Sequence, residues 1–373
     1  MRFRLRGPKI VLSGYYGFDN CGDEAVLSAI VHCLKKLRPD ARITVLSGNP
    51  KRTRDLHNVR AVNRWNPIRV IWELLACPLF ISGGGSLIQD ITSARSANYY
   101  LTVIRIATAL SRKTMIYGQG IGPLSNPKVR ERTMKTLERC DAITLRDGDS
   151  AALLREIGVK RGIEVTCDPV LALSYEDIDK EEIEGCLREL NVLDENGKKR
   201  KPLLLVTARC WEDNRHLPHI ARVLDAQARR GWDVLLAPMH FPEDMQALNE
   251  ISNLMTERLY CLGTFLDARQ FMALTAYADR VFSMRLHGLI FAMAAGAPMI
   301  GLSYDPKVKS FMELAGLGAN CVSFEDFDWQ KGERVIEEMD YEPLTALSDQ
   351  ESRRRELRAI AWKMAESAAA LLK

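Results

Sequence analysis

The sequence predicts two doubly wound α/β domains, each a parallel sheet with helices on both faces. Three observations lead to this. Short apolar runs alternate with helix-length periodic segments along most of the chain, and such alternation builds parallel sheets through crossover helices. The alternation stops over a polar stretch at 174–201 and then restarts. At 373 residues the chain also exceeds the length at which a single hydrophobic core stops growing.

Lys9–Ser13, Arg42–Leu46, Pro78–Ser82, Lys113–Tyr117 and Ala142–Leu145 read as the strands of the first domain. Glu24–Leu37 is the clearest helix, with Val26, Ile30, Cys33, Leu34 and Leu37 on one face. In the polar stretch, Asp177, Asp179, Glu181, Glu182 and Glu184 precede the basic run Lys198–Lys201. Few apolar positions interrupt it, so it reads as a solvated helix and linker. Leu203–Ala208, Trp232–Ala237, Arg258–Leu262, Arg280–Met284 and Pro298–Leu302 read as the second set of strands. Glu351–Leu372 is a long helix with Leu357, Ile360, Ala361, Met364 and Leu371 on one face. The expected organisation is an N-terminal Rossmann-like domain at 1–175, a linker at 176–201, a C-terminal Rossmann-like domain at 202–345 and a helix at 346–373 packing back on the N-terminal domain. Ligands of such sheets bind beyond the carboxyl ends of the strands, so a cleft shared by two facing domains is expected.

Composition excludes several classes. The chain is 47% hydrophobic and 27% charged, with a net charge of +4. That balance is too weak for nucleic acid and suits anionic small substrates. The nine cysteines form no C-x-x-C pair and read as reduced core thiols. The basic stretch Met1–Pro8 has no apolar core behind it, and the longest uncharged run, Leu289–Tyr304, is broken by Gly296 and Pro298. A cytoplasmic protein is expected. Peripheral contact with the inner face of the membrane is open through Arg60, Arg64, Trp65, Arg69 and Trp72, because tryptophan and arginine mix well at headgroups; an ordinary packed helix is the alternative. The basic tail helix (Arg353, Arg354, Arg355, Arg358, Lys363) reads as packed rather than lipid-bound.

The first strand leads into Gly14-Tyr15-Tyr16-Gly17-Phe18-Asp19-Asn20-Cys21-Gly22-Asp23-Glu24. Gly17 and Gly22 are spaced like the outer glycines of a phosphate loop, but Asp23 and Glu24 stand where that loop needs a lysine and a hydroxyl. The loop should therefore bind hydroxyls, with helix-dipole stabilisation by the two acids as the simpler reading. Ser82-Gly83-Gly84-Gly85-Ser86 and Gly118-Gln119-Gly120-Ile121-Gly122-Pro123 follow two further strands. Neither fits the dinucleotide fingerprint. Arg146 follows Ala142–Leu145. In the second half Arg209-Cys210-Trp211, His240, Arg285-Leu286-His287-Gly288 and Tyr304-Asp305-Pro306-Lys307 each follow a strand. Arg209, Arg285, His287 and Lys307 could converge on one anion. His216 and His219 lack a visible third metal ligand, so no metal is expected.

Together these segments resemble the polysaccharide pyruvyl transferase family, most closely its CsaB-type branch of cell-wall polymer enzymes. The resemblance runs from about residue 10 to about residue 315. It implies a glycosyltransferase-B-like architecture, phosphoenolpyruvate as co-substrate with no other cofactor, and a lipid-linked saccharide as acceptor, typically N-acetylmannosamine of a secondary cell wall polymer. The product, a cyclic pyruvyl ketal, is the ligand of surface-layer anchoring domains. On this reading Arg209, Trp211, His240, Arg285, His287 and Lys307 hold the donor, and His287 donates a proton, helped by Arg285. Tyr16, Asp19, Asn20, Asp23, Glu24, Gly84, Gly85, Ser86, Gln119 and Arg146 face the acceptor, with Asp23 or Glu24 acting on its hydroxyls. Two other readings stay open: a nucleotide-sugar glycosyltransferase of the same architecture, and a non-catalytic saccharide-binding protein in which His287 is dispensable.

Overall fold

The computed structural model describes residues 7–91, 94–174, 178, 180–340 and 344–372. They divide into two compact units.

The first unit runs to Leu173 and takes in the chain again from Leu357. Its elements are β1 (Lys9–Ser13), α1 (Cys21–Leu37), β2 (Arg42–Ser47), α2 (Pro50–His57), β3 (Arg60–Asn63), α3 (Pro67–Leu75), β4 (Leu79–Gly83), α4 (Ala94–Ala109), β5 (Lys113–Gln119), α5 (Pro127–Leu137), β6 (Ala142–Leu145), α6 (Gly148–Glu156) and β7 (Glu164–Val165). The strands form one parallel sheet in the order β3-β2-β1-β4-β5-β6-β7. In register, Ile10 lies between Ile43 and Leu79. The central strands are buried on both faces, which is why they read as continuous apolar runs rather than alternating ones. Phe80, Ile104, Ile116 and Ile143 belong to the core that packs against them.

The second unit spans Ser174–Glu356. It contains α7 (Glu181–Glu189), β8 (Leu203–Thr207), α8 (His216–Arg229), β9 (Asp233–Leu236), α9 (Met245–Leu254), β10 (Tyr260–Cys261), α10 (Ala268–Tyr277), β11 (Arg280–Ser283), α11 (Leu286–Ala295), β12 (Met299–Ser303), α12 (Pro306–Leu314), β13 (Cys321–Ser323), α13 (Trp329–Asp340) and the start of α14 (Leu344–Ala370). Its sheet is also parallel, in the order β10-β9-β8-β11-β12-β13. Both sheets thus have the doubly wound order, reversing direction once, between β1 and β4 and between β8 and β11.

The segment expected to be a linker belongs to the second unit. Ile183 and Leu187 of α7 are buried there, and Leu193 bridges Lys199; residues 176, 177 and 179 of that segment, with Asp177 and Asp179, lie outside the described residues, as do Met1–Arg6. Strands β3, β7 and β13 add to the expected set, and β10 has two residues where five were expected. The final helix α14 begins in the second unit and ends in the first. Within the second unit, Arg353 and Arg354 donate to the carbonyls of Leu314 and Ala294, at the C-terminal ends of α12 and α11, where cations complement the helix dipole. Within the first, Leu357, Ala361 and Met364 are buried, and the Leu357 carbonyl accepts from Cys167 Sγ at 3.2 Å. All nine cysteines are free thiols. No helix among the described residues is long and apolar enough to cross a membrane.

Candidate functional site

In each unit the segments singled out by sequence follow the carboxyl ends of strands at the point where strand order reverses. In the first unit these are the glycine loops after β1 and β4.

The first loop is held from below by its own side chains. Tyr16 is 1% exposed and its hydroxyl donates to the Gly83 carbonyl at 2.9 Å. Burial, and then the charges of Asp23 and Glu24, push its pKa well up, so it stays a neutral donor. Glu24 is 2% exposed. One of its oxygens accepts from Gly17 N at 2.7 Å and the other pairs with His57 Nε2 at 2.7 Å, while His57 Nδ1 meets Ser28 Oγ at 3.2 Å. Asn20 caps α1, accepting from Gly22 N and Asp23 N. Asp19, at φ +55°, pairs with Arg52. The buried Arg64 donates to the Gly14 carbonyl at 3.0 Å and to Tyr100 Oη at 3.2 Å, amid the rings of Phe18, Trp65, Tyr99 and Tyr100.

The second loop lies against the first. A methyl group on Gly84, at φ +55°, would meet Val26 Cγ1 at 1.9 Å, so only glycine lets the loop approach α1 this closely. The Asp23 carboxylate sits over Gly85, where an added Cβ would lie 2.6 Å from Oδ1. Ser86 Oγ accepts from Arg146 Nη2 at 2.9 Å. Arg146 is itself buried, with Asp147 and Asp168 each at 3.6 Å. Gln119 is fully buried, donating to Ser82 Oγ at 2.7 Å. The structure therefore brings together Asp23, Gly84, Gly85, Ser86 and Arg146, of which Asp23 and Ser86 are partly exposed and Gly84, Gly85 and Arg146 are buried. It corrects the expectation for Tyr16, Glu24 and Gln119, which are buried and hydrogen-bonded within the scaffold. The sequence reading of Arg64 as a headgroup contact is corrected too, because its guanidinium is enclosed.

In the second unit, residues follow four neighbouring strands, β9, β8, β11 and β12. Arg209, after β8, stacks on Trp211 and Tyr304, 5.4 and 5.1 Å from the ring centres, and donates to Tyr304 Oη at 3.2 Å. Its carbonyl accepts from His216 Nε2 at 3.0 Å. Burial lowers the His216 pKa, which favours the neutral ring that donates to this carbonyl. His219 packs on Phe327. Arg285, after β11, is clamped by both oxygens of Asp244. Asp244 is 1% exposed and also accepts from Met239 N at 3.1 Å and His240 N at 2.9 Å. It thus ties the loop after β9 to Arg285 across the end of β8. The His240 ring lies 3.5 Å from Glu243.

His287 stands two residues beyond Arg285, half-buried in the first turn of α11, whose N-cap residue Arg285 makes no side-chain capping bond. Gly288 lets α11 start there, since a Cβ would strike Ser283 Oγ at 2.4 Å. That hydroxyl pairs with Thr207 Oγ1 at 2.6 Å, joining the ends of β8 and β11. Lys307 begins α12, its ammonium 3.7 Å from Asp305. The bonded groups are thus Arg209 with Tyr304, and Arg285 with the loop carrying His240; His287 and Lys307 lie on helix starts at two adjacent strands. Two buried or oriented arginines, two helix N-termini and a histidine at one sheet edge suit a small polyanion. Sequence reading missed Asp244, which carries no periodic signal, and His57, whose partner is 33 positions away.

The family model described as polysaccharide pyruvyl transferase matches residues 20–306. A search of curated protein sequences gave no match. Among solved structures, HepE from Anabaena in complex with UDP-glucose aligns over 98% of this chain and 99% of its own, with TM-score 0.65 and 15% identity. UDP-GlcNAc 2-epimerase from Neisseria meningitidis bound to UDP-GlcNAc aligns over 97% and 99%, with TM-score 0.67 and 12% identity. A glycosyltransferase from Rickettsia africae aligns over 98% and 99%, with TM-score 0.63 and 13% identity. These likenesses establish the two-domain, glycosyltransferase-B-like fold.

Proposed function

The chain belongs to the polysaccharide pyruvyl transferase family and is a polysaccharide-modifying transferase; from that premise we propose that it moves pyruvate from phosphoenolpyruvate to a sugar of a lipid-linked cell-wall polysaccharide precursor, N-acetylmannosamine in the preferred case, and closes a cyclic ketal. The observation that carries the donor is the switch point of the second sheet. Arg209 and Arg285 follow the paired strands β8 and β11, each held by neighbours that leave part of its five-donor fork for a ligand. Asp244 takes two donors of Arg285 and fixes its plane, so little side-chain entropy is lost when an anion binds.

The chemistry balances as follows. His287 gives a proton to C3 of the enol, and C2 becomes electrophilic. One sugar hydroxyl adds to C2 and loses its proton, which restores His287. Phosphate then leaves C2 with its bonding electrons, aided by Lys307 and the start of α12. A second hydroxyl of the same sugar closes the ring on C2, and its proton leaves with phosphate. Asp23, beside Gly85 and Ser86, is the carboxylate suited to orient those hydroxyls, since Glu24 is committed to Gly17 and His57. General acid catalysis of this kind contributes about 10²–10⁴-fold.

Phosphate release from phosphoenolpyruvate tests the reading. It should depend on added saccharide acceptor. His287→Ala should lower turnover by about 10²-fold or more with donor affinity nearly kept. Arg285→Ala should weaken donor binding by about 10- to 100-fold, the effect of losing charge-assisted hydrogen bonds. Consumption of UDP-glucose with phosphoenolpyruvate untouched would instead favour a nucleotide-sugar transferase, the chemistry of ligands seen on the structural relatives.

A further inference from the structure

Helix α3 has two apolar faces, and one faces solvent. Val70 and Leu74 point into the first unit. Ile68, Ile71, Trp72 and Leu75 fall at i, i+3, i+4 and i+7 on the opposite side, with Ile68 71% and Trp72 66% exposed. Trp65 precedes the helix at 63% exposed. Of the nine large apolar side chains exposed among the described residues, five lie within 65–75. Such clustering marks a contact surface rather than ordinary scatter.

The charge around this face is one-sided. Its acid, Glu73, is buried and shared by Lys9, Arg60 and Arg69. Lys9 and Arg60 also line a cavity of about 300 Å³ together with Lys35 and Arg42, and no acidic side chain among the described residues lines it. Glu73 therefore connects the inner side of α3 to a pocket with four cations at the amino ends of β1, β2 and β3.

We propose that the outer face of α3 docks on an anionic lipid bilayer, with Trp65 and Trp72 at the headgroup level and the basic cavity facing lipid phosphates. An amphipathic helix lying in the interface buries this kind of stripe, and arginine and lysine beside it add attraction to anionic lipid. A second copy of the chain is a poorer occupant, because self-apposition would bring like-charged rims together. The Trp65 end of the face adjoins Arg64, which holds the Gly14 carbonyl of the first glycine loop. Docking would thus set that loop at the membrane, where a lipid-linked saccharide begins.

Vesicle sedimentation without donor or acceptor tests this independently of the reaction. Wild-type protein should sediment with phosphatidylcholine vesicles containing phosphatidylglycerol, less with phosphatidylcholine alone, and less as salt rises. The double variant Ile68→Ser/Trp72→Ser should bind on the order of tenfold more weakly with its melting temperature unchanged. Arg42→Gln should weaken binding to the anionic vesicles only. Failure of the wild type to bind, or undiminished binding by the double variant, overturns the proposal. So does a wild-type dimer that the double variant dissociates while vesicles stay unbound. Equal binding to both vesicle types removes the headgroup role of the cavity.

Discussion

Asp23 and Glu24 stand side by side in the sequence and have different employment in the fold. Glu24 faces inward and spends both oxygens on Gly17 and His57. Asp23 turns toward Gly85. One position on a helix turns a side chain by about 100°, and that rotation decides which acid can meet a hydroxyl. A comparable division separates Arg285 from Asp244. The arginine is visible in sequence as a cation after a strand; its aspartate lies 41 positions earlier in a loop with no pattern. Asp244→Asn removes the charge while keeping the size, and the guanidinium loses its fixed plane. Steady-state kinetics should show the donor KM raised about 10- to 100-fold with a smaller change in kcat. The conservative Asp244→Glu should recover part of the loss, whereas a purely structural role would lower the melting temperature and leave the donor KM alone.

At the scale of elements, legibility followed burial. The central strands carry continuous apolar runs, Ile10–Leu12, Leu79–Ile81 and Leu203–Val206, and were readable from these. Strand β3 was not, because Arg60–Asn63 is four residues long and charged or polar at both ends. Strand β10 shrinks to Tyr260–Cys261 at a sheet edge, where one side has no partner to extend the ladder. Helix α1 begins three residues before its apolar pattern, since Asn20 supplies the cap and Cys21 and Gly22 are already helical. The loops of the candidate site were found because glycine runs and strand-end cations are sequence signals; the buried tethers Tyr16, Gln119 and His57 depend on contacts between distant segments. Helix α3 illustrates an electrostatic anchor. Burial alone would push the Glu73 carboxyl up, but Lys9 and Arg60 hold it below its ordinary value of 4.5. A lowered folded-state pKa means its stabilisation is present above that value and is lost as pH falls through the folded one. Glu73→Gln should therefore cost about 1–3 kcal/mol near neutral pH, seen in denaturant melts. The gap from wild type should close as pH drops below 4.5. A gap that stays constant with pH would show that packing, not charge, fixes α3.

For the whole molecule, the two units repeat one strand order, and each places its distinctive side chains at its own order reversal. The first unit offers a carboxylate, glycine backbone and a hydroxyl there; the second offers arginines and helix starts. The organisation into two α/β units was legible because the alternation of strand and helix restarts near residue 203; the membership of α7 in the second unit was not, because only Ile183 and Leu187 reveal its buried face. Mass spectrometry of a lipid-linked saccharide incubated with the protein and phosphoenolpyruvate tests the assignment most directly. The account predicts an acceptor heavier by pyruvate less one water, with one phosphate freed for each molecule converted. An acceptor of unchanged mass, or one heavier by a hexose residue when a nucleotide sugar is supplied, would contradict it.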